Sequence, residues 1–282
     1  ISMKNRALVV IKGGLGNQLF QYCLANYLLK KDSIVYIDSS FYDKTNFDKS
    51  NNTYRNLIFK PNNFKFKETS KAFKILLKLL RKINKLNIKH LSYGFYKGYD
   101  HTDLNLRQFN EFDGYWQNKE LLEYSKDFLY EYLSKFDDIK NNLMIRDDKY
   151  NTVLHIRRGD YVAMGEDLSI DFYEESLNKM DKNIDKFSYD IFTDDEDWVK
   201  NQKLFNSAKN IFGENSFNNN PLSTFANMTK YNNFIVGNST FSLLAAFLKE
   251  DTSSKIIVAS PWFRNINHPG FNFDKWMKIN NE

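Results

Sequence analysis

The sequence predicts an α/β protein made of two parallel-sheet units. Two observations carry this expectation. Short β-branched runs alternate with helical stretches in both halves of the 282 residues, a pattern that gives parallel sheets flanked by helices. Charged, small polar or glycine-rich clusters also follow several strands directly, where open α/β sheets bind their ligands. Length agrees, since a prior of roughly 150 residues per domain gives two.

The first unit opens with the apolar run 7–12, which reads as a buried strand. Gly13-Gly14-Leu15-Gly16-Asn17 follows, then a helix over 19–30 and a second strand over 33–38. Strand, glycine turn, helix and strand make a βαβ unit. Residues 43–70 are rich in Asn, Lys and Phe and read as irregular. Residues 71–89 read as a basic amphipathic helix. Lys71, Lys74, Lys78, Arg81, Lys82, Lys85 and Lys89 interleave there with apolar side chains, and no acid interrupts them. Such a helix either docks on the core or meets an anionic membrane surface. Residues 120–140 read as helical scaffold. Residues 147–150 read as a linker, which sets the domains at 3–148 and 149–282.

In the second half, strands are expected over 152–157, 188–193, 210–213, 233–236 and 255–259. Helices are expected over 170–180, 223–229 and 241–248. This alternation repeats the logic of the first unit.

Composition excludes several classes. A hydrophobic fraction of 42% with 16% aromatics is enough for packed cores, so whole-chain disorder is excluded. The single cysteine, Cys23, can form neither an internal disulfide nor a multi-thiolate metal site. His90, His101, His155 and His268 show no metal-ligand spacing. A reducing compartment and a site with no required metal are expected. Met3 is the expected native start, with Ile1 and Ser2 as an added leader, and the apolar run after it is too short for a signal-peptide core. No stretch of about 18 apolar residues exists, so no transmembrane helix is expected. The net charge of +5 is mild, and its placement decides more than its sum.

Four clusters at strand ends carry the candidate chemistry. Gly14, Gly16, Asn17 and Gln18 either let backbone approach a ligand at a helix N-terminus or simply make a tight turn. The loop lacks the Lys-Ser/Thr of a P-loop, so ATP hydrolysis is not expected. His155 and Arg157 fall on one face of a strand because its period is two. Arg157 has the fork geometry to grip a diphosphate, or it forms a structural pair with an Asp. Asn238, Ser239, Thr240, Phe241 and Ser242 open a helix, and their hydroxyls and free N–H groups make an anion site. Asp195-Glu196-Asp197 has the spacing of a metal-binding Asp-x-Asp. The preferred reading is different. Asp194 accepts hydrogen bonds from the ring N–H and amine of guanine. Asp195 and Glu196 cap the next helix, and arginines take the place of a metal.

These stretches resemble glycosyltransferase family 11, the α-1,2-fucosyltransferases. The matching residues are 13–22 (Gly-Gly-Leu-Gly-Asn-Gln-Leu-Phe-Gln-Tyr), 155–161 (His-Ile-Arg-Arg-Gly-Asp-Tyr), 192–195 with Trp198, 221–229, 238–242 and 261–263. They occur in family order over nearly the whole chain. The resemblance implies a GT-B architecture, two Rossmann-like domains with parallel sheets facing a cleft. Residues 3–148 would form the acceptor side and 149–282 the GDP-sugar side. It implies inversion at the sugar carbon, GDP-L-fucose as donor, no cofactor and no metal. Arg157 would meet the donor phosphate, His155 and Asp194 the guanosine, and Ser239, Thr240 and Ser242 the diphosphate, while the Gly14–Gln18 loop would close over the donor. Leu243, Leu244, Tyr231 and Asn233 depart from the family pattern at packing or acceptor-shape positions.

The expected reaction is a direct displacement with an oxocarbenium-like transition state. Arg157 stabilises the charge that grows on the leaving diphosphate, a kind of term commonly worth several kcal/mol. Arg158 and Asp160 join it as catalytic candidates. Asp160 either serves as base or orients Arg158, and Glu166 is the other candidate base. The expected acceptor is the O-2 of a galactoside in a surface polysaccharide intermediate, such as an O-antigen. If that acceptor is lipid-linked, helix 71–89 would sit at the inner face of the cytoplasmic membrane. A related GDP-deoxyhexose is the alternative donor, and a non-catalytic glycan-binding module the alternative class. Nucleic acid is not an expected partner, because neither aromatic stacking nor a known module accompanies the lysines.

Overall fold

The computed structural model describes residues 4–43, 47–48, 53–54, 56–84, 92–99 and 104–282. The chain divides into two compact units, Ile1–Tyr132 and Leu133–Glu282.

The first unit runs β1 (Arg6–Val10), α1 (Leu15–Lys30), β2 (Ile34–Asp38), β3 (Phe47–Asp48), β4 (Thr53–Tyr54), β5 (Lys67–Glu68), α2 (Lys71–Asn84), β6 (Tyr93–Tyr96), β7 (Phe109–Phe112), α3 (Lys119–Tyr124) and α4 (Lys126–Leu133). Its main sheet has the order β5-β2-β1-β7-β6, and every pairing is parallel. The direction of strand addition reverses between β1 and β7, which makes their ends a topological switch point. Helix α1 starts at Leu15, four residues before the expected 19, because Gly14 ends the extended segment as the N-cap. Twelve of its sixteen residues are buried, so it is a central helix rather than an amphipathic surface one. Cys23 lies within it, where burial pushes the thiol up to about 12 and makes it an inert core residue.

The segment 43–70 is not irregular throughout. β3 and β4 pair antiparallel and β5 extends the main sheet. Phe59, Phe64 and Phe66 are buried, with Phe64 stacked on Tyr22 at 4.3 Å between ring centroids. Burying each such side chain contributes about 1.5–3 kcal/mol. The expected long helix over 120–140 is three short ones, broken at Ser125, whose hydroxyl turns to the Cys23 carbonyl, and again before α5 (Asp137–Met144). The expected basic helix is present over Lys71–Asn84, and its continuation to 89 lies outside the described residues.

The boundary expected at 148/149 falls instead at 132/133, because α5 is tied to later elements. Asn142 donates to the Ala226 carbonyl at 2.7 Å. Lys249 donates to the carbonyls of Asn142 and Leu143 at 3.1 and 3.3 Å, and to Ile145. It thereby satisfies carbonyls that the end of α5 leaves open.

The second unit continues with β8 (Thr152–Ile156), α6 (Gly159–Met164), α7 (Ile170–Asn183), β9 (Tyr189–Thr193), α8 (Glu196–Lys200), β10 (Ile211–Phe212), α9 (Pro221–Met228), β11 (Asn233–Gly237), α10 (Thr240–Lys249), β12 (Ile256–Ser260) and β13 (Met277–Asn280). The sheet order β10-β9-β8-β11-β12-β13 is parallel throughout. Counted within the unit this is 3-2-1-4-5-6, the Rossmann order, with its switch point between β8 and β11. All five residues of β9 and of β11 are buried, as expected for strands covered on both faces. The four departures from the family pattern are packing positions. Leu243 and Leu244 are fully buried. Tyr231 donates to Asp190 at 2.7 Å, and Asn233 donates to the Asn151 carbonyl at 3.0 Å. Two Rossmann-like units in one chain are the make-up expected of a GT-B protein. Among the described residues, no helix is long and apolar enough to cross a membrane.

Candidate functional site

Three of the four strand-end clusters meet at the switch point of the second unit. The register pairs His155 with Phe192 and Ile156 with Thr193, so the residues that follow β8 and β9 emerge side by side. Arg157 Nη1 lies 2.5 Å from Asp194 Oδ2, and Nη2 pairs with Asp160. The other oxygen of Asp194 accepts the backbone N–H of Arg158 at 2.7 Å. Gly159 leaves room for this: a Cβ there would stand 2.7 Å from Asp194 Oδ2. Burial opposes the charge of Arg157, but Asp194 and then Asp160 outweigh it and hold the guanidinium above its ordinary value. The site therefore keeps one fixed cation in a largely dry setting.

The two arginines separate. Arg158 turns to Asp167 at 2.8 Å and Asp195 at 3.1 Å, and its guanidinium lies 4.0 Å from the Trp198 ring. Every observed partner of Arg158 is structural, so it braces the β8 and β9 ends rather than presenting a second phosphate ligand. Asp160 pairs with Arg157 and not with Arg158, which replaces the expected orienting role. Asp194, expected to receive guanine, has both oxygens directed at residues 157 and 158. Asp195 does cap α8, accepting from Trp198 N at 3.1 Å, as expected.

Across the switch point, His155 Nδ1 lies 2.9 Å from Ser242 Oγ. The Ser242 hydroxyl is also within reach of the Val236 carbonyl at 3.0 Å and the Ser239 carbonyl at 3.2 Å, so all three contacts are best served when it donates to a carbonyl and accepts from His155 Nδ1–H. In that tautomer Nε2 is an acceptor. Burial pulls the His155 pKa down, Asp194 opposes this, and Arg157 adds to the fall, leaving about 4; the ring is neutral near pH 7. Phe241 packs against it with ring centroids 5.8 Å apart. Ser242, expected to bind diphosphate, thus sets the histidine instead. Helix α10 makes its first internal bond from Leu243 N to Ser239 O. The N–H groups of Thr240, Phe241 and Ser242 have no intrahelical acceptor, and the Ser239 side chain does not cap them. This helix end, which follows the strand paired with β8, has free N–H groups that suit an anion.

Asn238 donates to the Glu166 carbonyl at 2.7 Å, and Tyr161 donates to the Asn238 carbonyl at 3.2 Å. Glu166, a candidate base, is fully buried. Its two oxygens accept the backbone N–H groups of Arg264 and Asn265 at 2.7 and 2.8 Å, so it is a strut.

The fourth cluster belongs to the first unit. Gly14 and Gly16 sit at the start of α1. Gln18 is fully buried and both ends of its amide are engaged. Nε2 donates to the carbonyls of Gly13 and Asn56, and Oε1 accepts from Ile58 and Phe59. Asn17 accepts from Gln117 at 2.6 Å. Gln18 therefore clamps the loop to 56–59 and has no group left for a donor.

Among the described residues, no group of three or more His, Cys, Asp or Glu side chains is arranged to hold a metal ion. His90 and His101 lie outside them. His268 accepts from Gly270 N at 2.9 Å and packs on Trp262. Sequence reasoning missed Asp167, Arg264 and Asn265. The first carries a charge with no motif around it, and the other two act chiefly through backbone N–H groups.

A family model described as Glycosyl transferase family 11 matches residues 7–265. The chain is 26% identical over 307 residues to the O-antigen biosynthesis glycosyltransferase WbnK of Escherichia coli, covering 95% of the chain and 99% of WbnK. It is also 26% identical over 296 residues to an Escherichia coli alpha-1,2-colitosyltransferase, covering 95% and 97%. Among solved structures, the fucosyltransferase NodZ from Bradyrhizobium aligns with 88% of this chain and 94% of its own, at 10% identity and a TM-score of 0.45. The family match takes in both switch points and every strand-end cluster described above, and the chain belongs to glycosyl transferase family 11.

Proposed function

We propose that this glycosyltransferase moves L-fucose from GDP-L-fucose, with inversion, to O-2 of a galactoside in a surface-glycan intermediate such as an O-antigen. The observation that carries the nucleotide half is Arg157, held by Asp160 and Asp194 at the end of β8, the strand that pairs with β11 and whose His155 meets Ser242 in the first turn of the uncapped α10. A diphosphate seated there meets a guanidinium on one side and backbone N–H groups on the other. The contacts of Arg157 to its two carboxylates leave further N–H bonds for an oxyanion. The sugar and linkage rest on the family and on the α-1,2 linkage in one relative's name.

The acceptor hydroxyl attacks the anomeric carbon and gives up its proton to solvent, while the bond to the diphosphate breaks and GDP departs with its electron pair. Negative charge grows on the β-phosphate oxygens, and Arg157 with the α10 N–H groups stabilises it without reorganising. Asp160 and Asp194 position the arginine. His155, with Nδ1–H tied to Ser242, offers Nε2 as an acceptor to a hydroxyl or N–H of the nucleoside. The reading needs no divalent cation. Its support is that three of the four carboxylates after β9 already have partners: Asp194 the two arginine positions, Asp195 the helix cap and Arg158, and Glu196 Lys200, while Asp197 is exposed.

A relative just as similar is named for transfer of colitose, so another GDP-linked deoxyhexose is the second reading. A panel of GDP- and UDP-sugars with a galactoside acceptor, run in chelator, tests both. Transfer is expected with GDP-L-fucose, with a new bond at O-2 by NMR. Transfer only from UDP-sugars, or activity abolished by chelator and restored by manganese alone, would sink the proposal.

A further inference from the structure

We infer that the outward face of α2 docks the protein on a bilayer carrying anionic phospholipid. The helix uses its five basic residues in two ways. Lys74 pairs with Asp38 at 2.7 Å and Arg81 pairs with Glu111. With Leu77, which is buried, and Phe73 and Leu80, which are partly so, these two fasten the helix to β2, β6 and β7. Lys71, Lys78 and Lys82 are exposed and have no ion partner among the described residues.

Beside those three lysines runs an exposed aliphatic stripe. Ile75 is 58% exposed, Leu79 52% and Leu76 36%. Ile75 and Leu79 are four apart and Leu76 and Leu79 three apart, so they form one surface. Lys78 and Lys82 are likewise four apart and border it. The helix carries no acidic residue.

This arrangement is complementary to an anionic lipid surface. Ile75, Leu76 and Leu79 enter the boundary between headgroups and acyl chains, and the lysines meet the phosphates. Single-stranded nucleic acid would call for stacking aromatics, yet the one aromatic residue of the helix, Phe73, packs inward. The proposal is independent of the donor and acceptor reading, because it rests on a face that carries no part of the diphosphate site.

Flotation of the full chain with phosphatidylcholine vesicles, with and without phosphatidylglycerol, tests it. Co-flotation is expected only with the anionic vesicles, and it weakens as salt rises. Lys78→Gln with Lys82→Gln should reduce partitioning by about 30-fold at low salt. Ile75→Ser with Leu79→Ser should reduce it even though every charge is kept. All four side chains are exposed, so both pairs should melt like the parent and transfer sugar to a soluble acceptor at the parent rate. No flotation with anionic vesicles, equal flotation with neutral ones, or flotation unchanged in both pairs would overturn the inference. So would binding of RNA or an acidic protein through these residues with no vesicle binding.

Discussion

The two units end their central strands alike and fill those ends with opposite chemistry. In the first, β1 runs into Gly13–Gln18, where amides predominate beside one partly buried ion pair, Lys12 with Asp113 at 2.7 Å. Gln18, Gln21, Asn17 and Gln117 bond to one another or to the unit's own backbone. In the second, β8 runs into Arg157–Asp160, and the polar groups are ions: two arginines among Asp160, Asp167, Asp194 and Asp195. Neutral amides can be buried cheaply once bonded, whereas a buried ion is costly unless a partner of opposite sign is held against it. Two sheets of the same type therefore differ in what they can do. The glycine-rich loop, which looks more like a phosphate cradle in sequence, has Gln18 and Asn17 bonded within its own unit. The arginine loop holds a preformed field.

The largest expected effect comes from breaking the charged end. Arg157→Ala removes the cation that faces the leaving diphosphate and should lower turnover by about 10²–10³-fold or more. It also leaves Asp160 and Asp194 without their cation, so the fold must be checked by thermal melting. Arg157→Lys keeps a charge but loses the fork, and should fall between the two. Near-normal turnover in a folded Arg157→Ala protein would remove the distinction between the units.

The next effect is on stability, in the amide end. Gln18→Leu keeps the bulk but strands the N–H groups of Ile58 and Phe59 and the carbonyls of Gly13 and Asn56. A loss of about 2–3 kcal/mol in urea unfolding is expected. The dissociation constant for GDP should hardly change. If instead GDP binding collapses while stability holds, the glycine loop is a nucleotide ligand and the comparison fails.

Much of the second unit was legible because its strands are buried on both faces and so read as plain apolar runs. The meeting of residues 155–161, 193–195 and 238–242 followed from the rule that ligands gather past the carboxyl ends of strands. What stayed hidden were partnerships across sequence. Arg158 takes Asp167 and Trp198, while Asp160, three residues from Arg157, takes that arginine instead. Glu166 looks like a base until 264–265 folds over it, 98 residues away. β7 was missed because Glu111 breaks its apolar run, and Glu111 is tolerated there only because Tyr93 and Arg81 reach it. The core function of 59–66 was masked by the asparagines and lysines around its phenylalanines.

The smallest effect probes how the charged end sets a neutral group. Ser242→Ala deletes the acceptor for His155 Nδ1–H, and a loss of about one hydrogen bond should weaken GDP binding by roughly five- to tenfold. The pH dependence separates this from a simple packing change. His155 in the folded protein titrates at about 4, below its ordinary 6.5. The unfolded chain therefore takes up a proton as pH falls through 6.5 while the folded one does not. The stabilising contribution of the neutral ring is full above 6.5, shrinks as pH falls toward 4, and shrinks no further below that. Binding behaves differently, because only the folded protein binds. With His155 neutral throughout, calorimetric GDP affinity should show no step assignable to this ring between about pH 8 and about pH 5. A step near 6.5 that disappears in His155→Gln would mean that the ring is charged when nucleotide binds. Ser242 would then not be fixing a neutral tautomer, and the second unit would present an additional cation to the diphosphate.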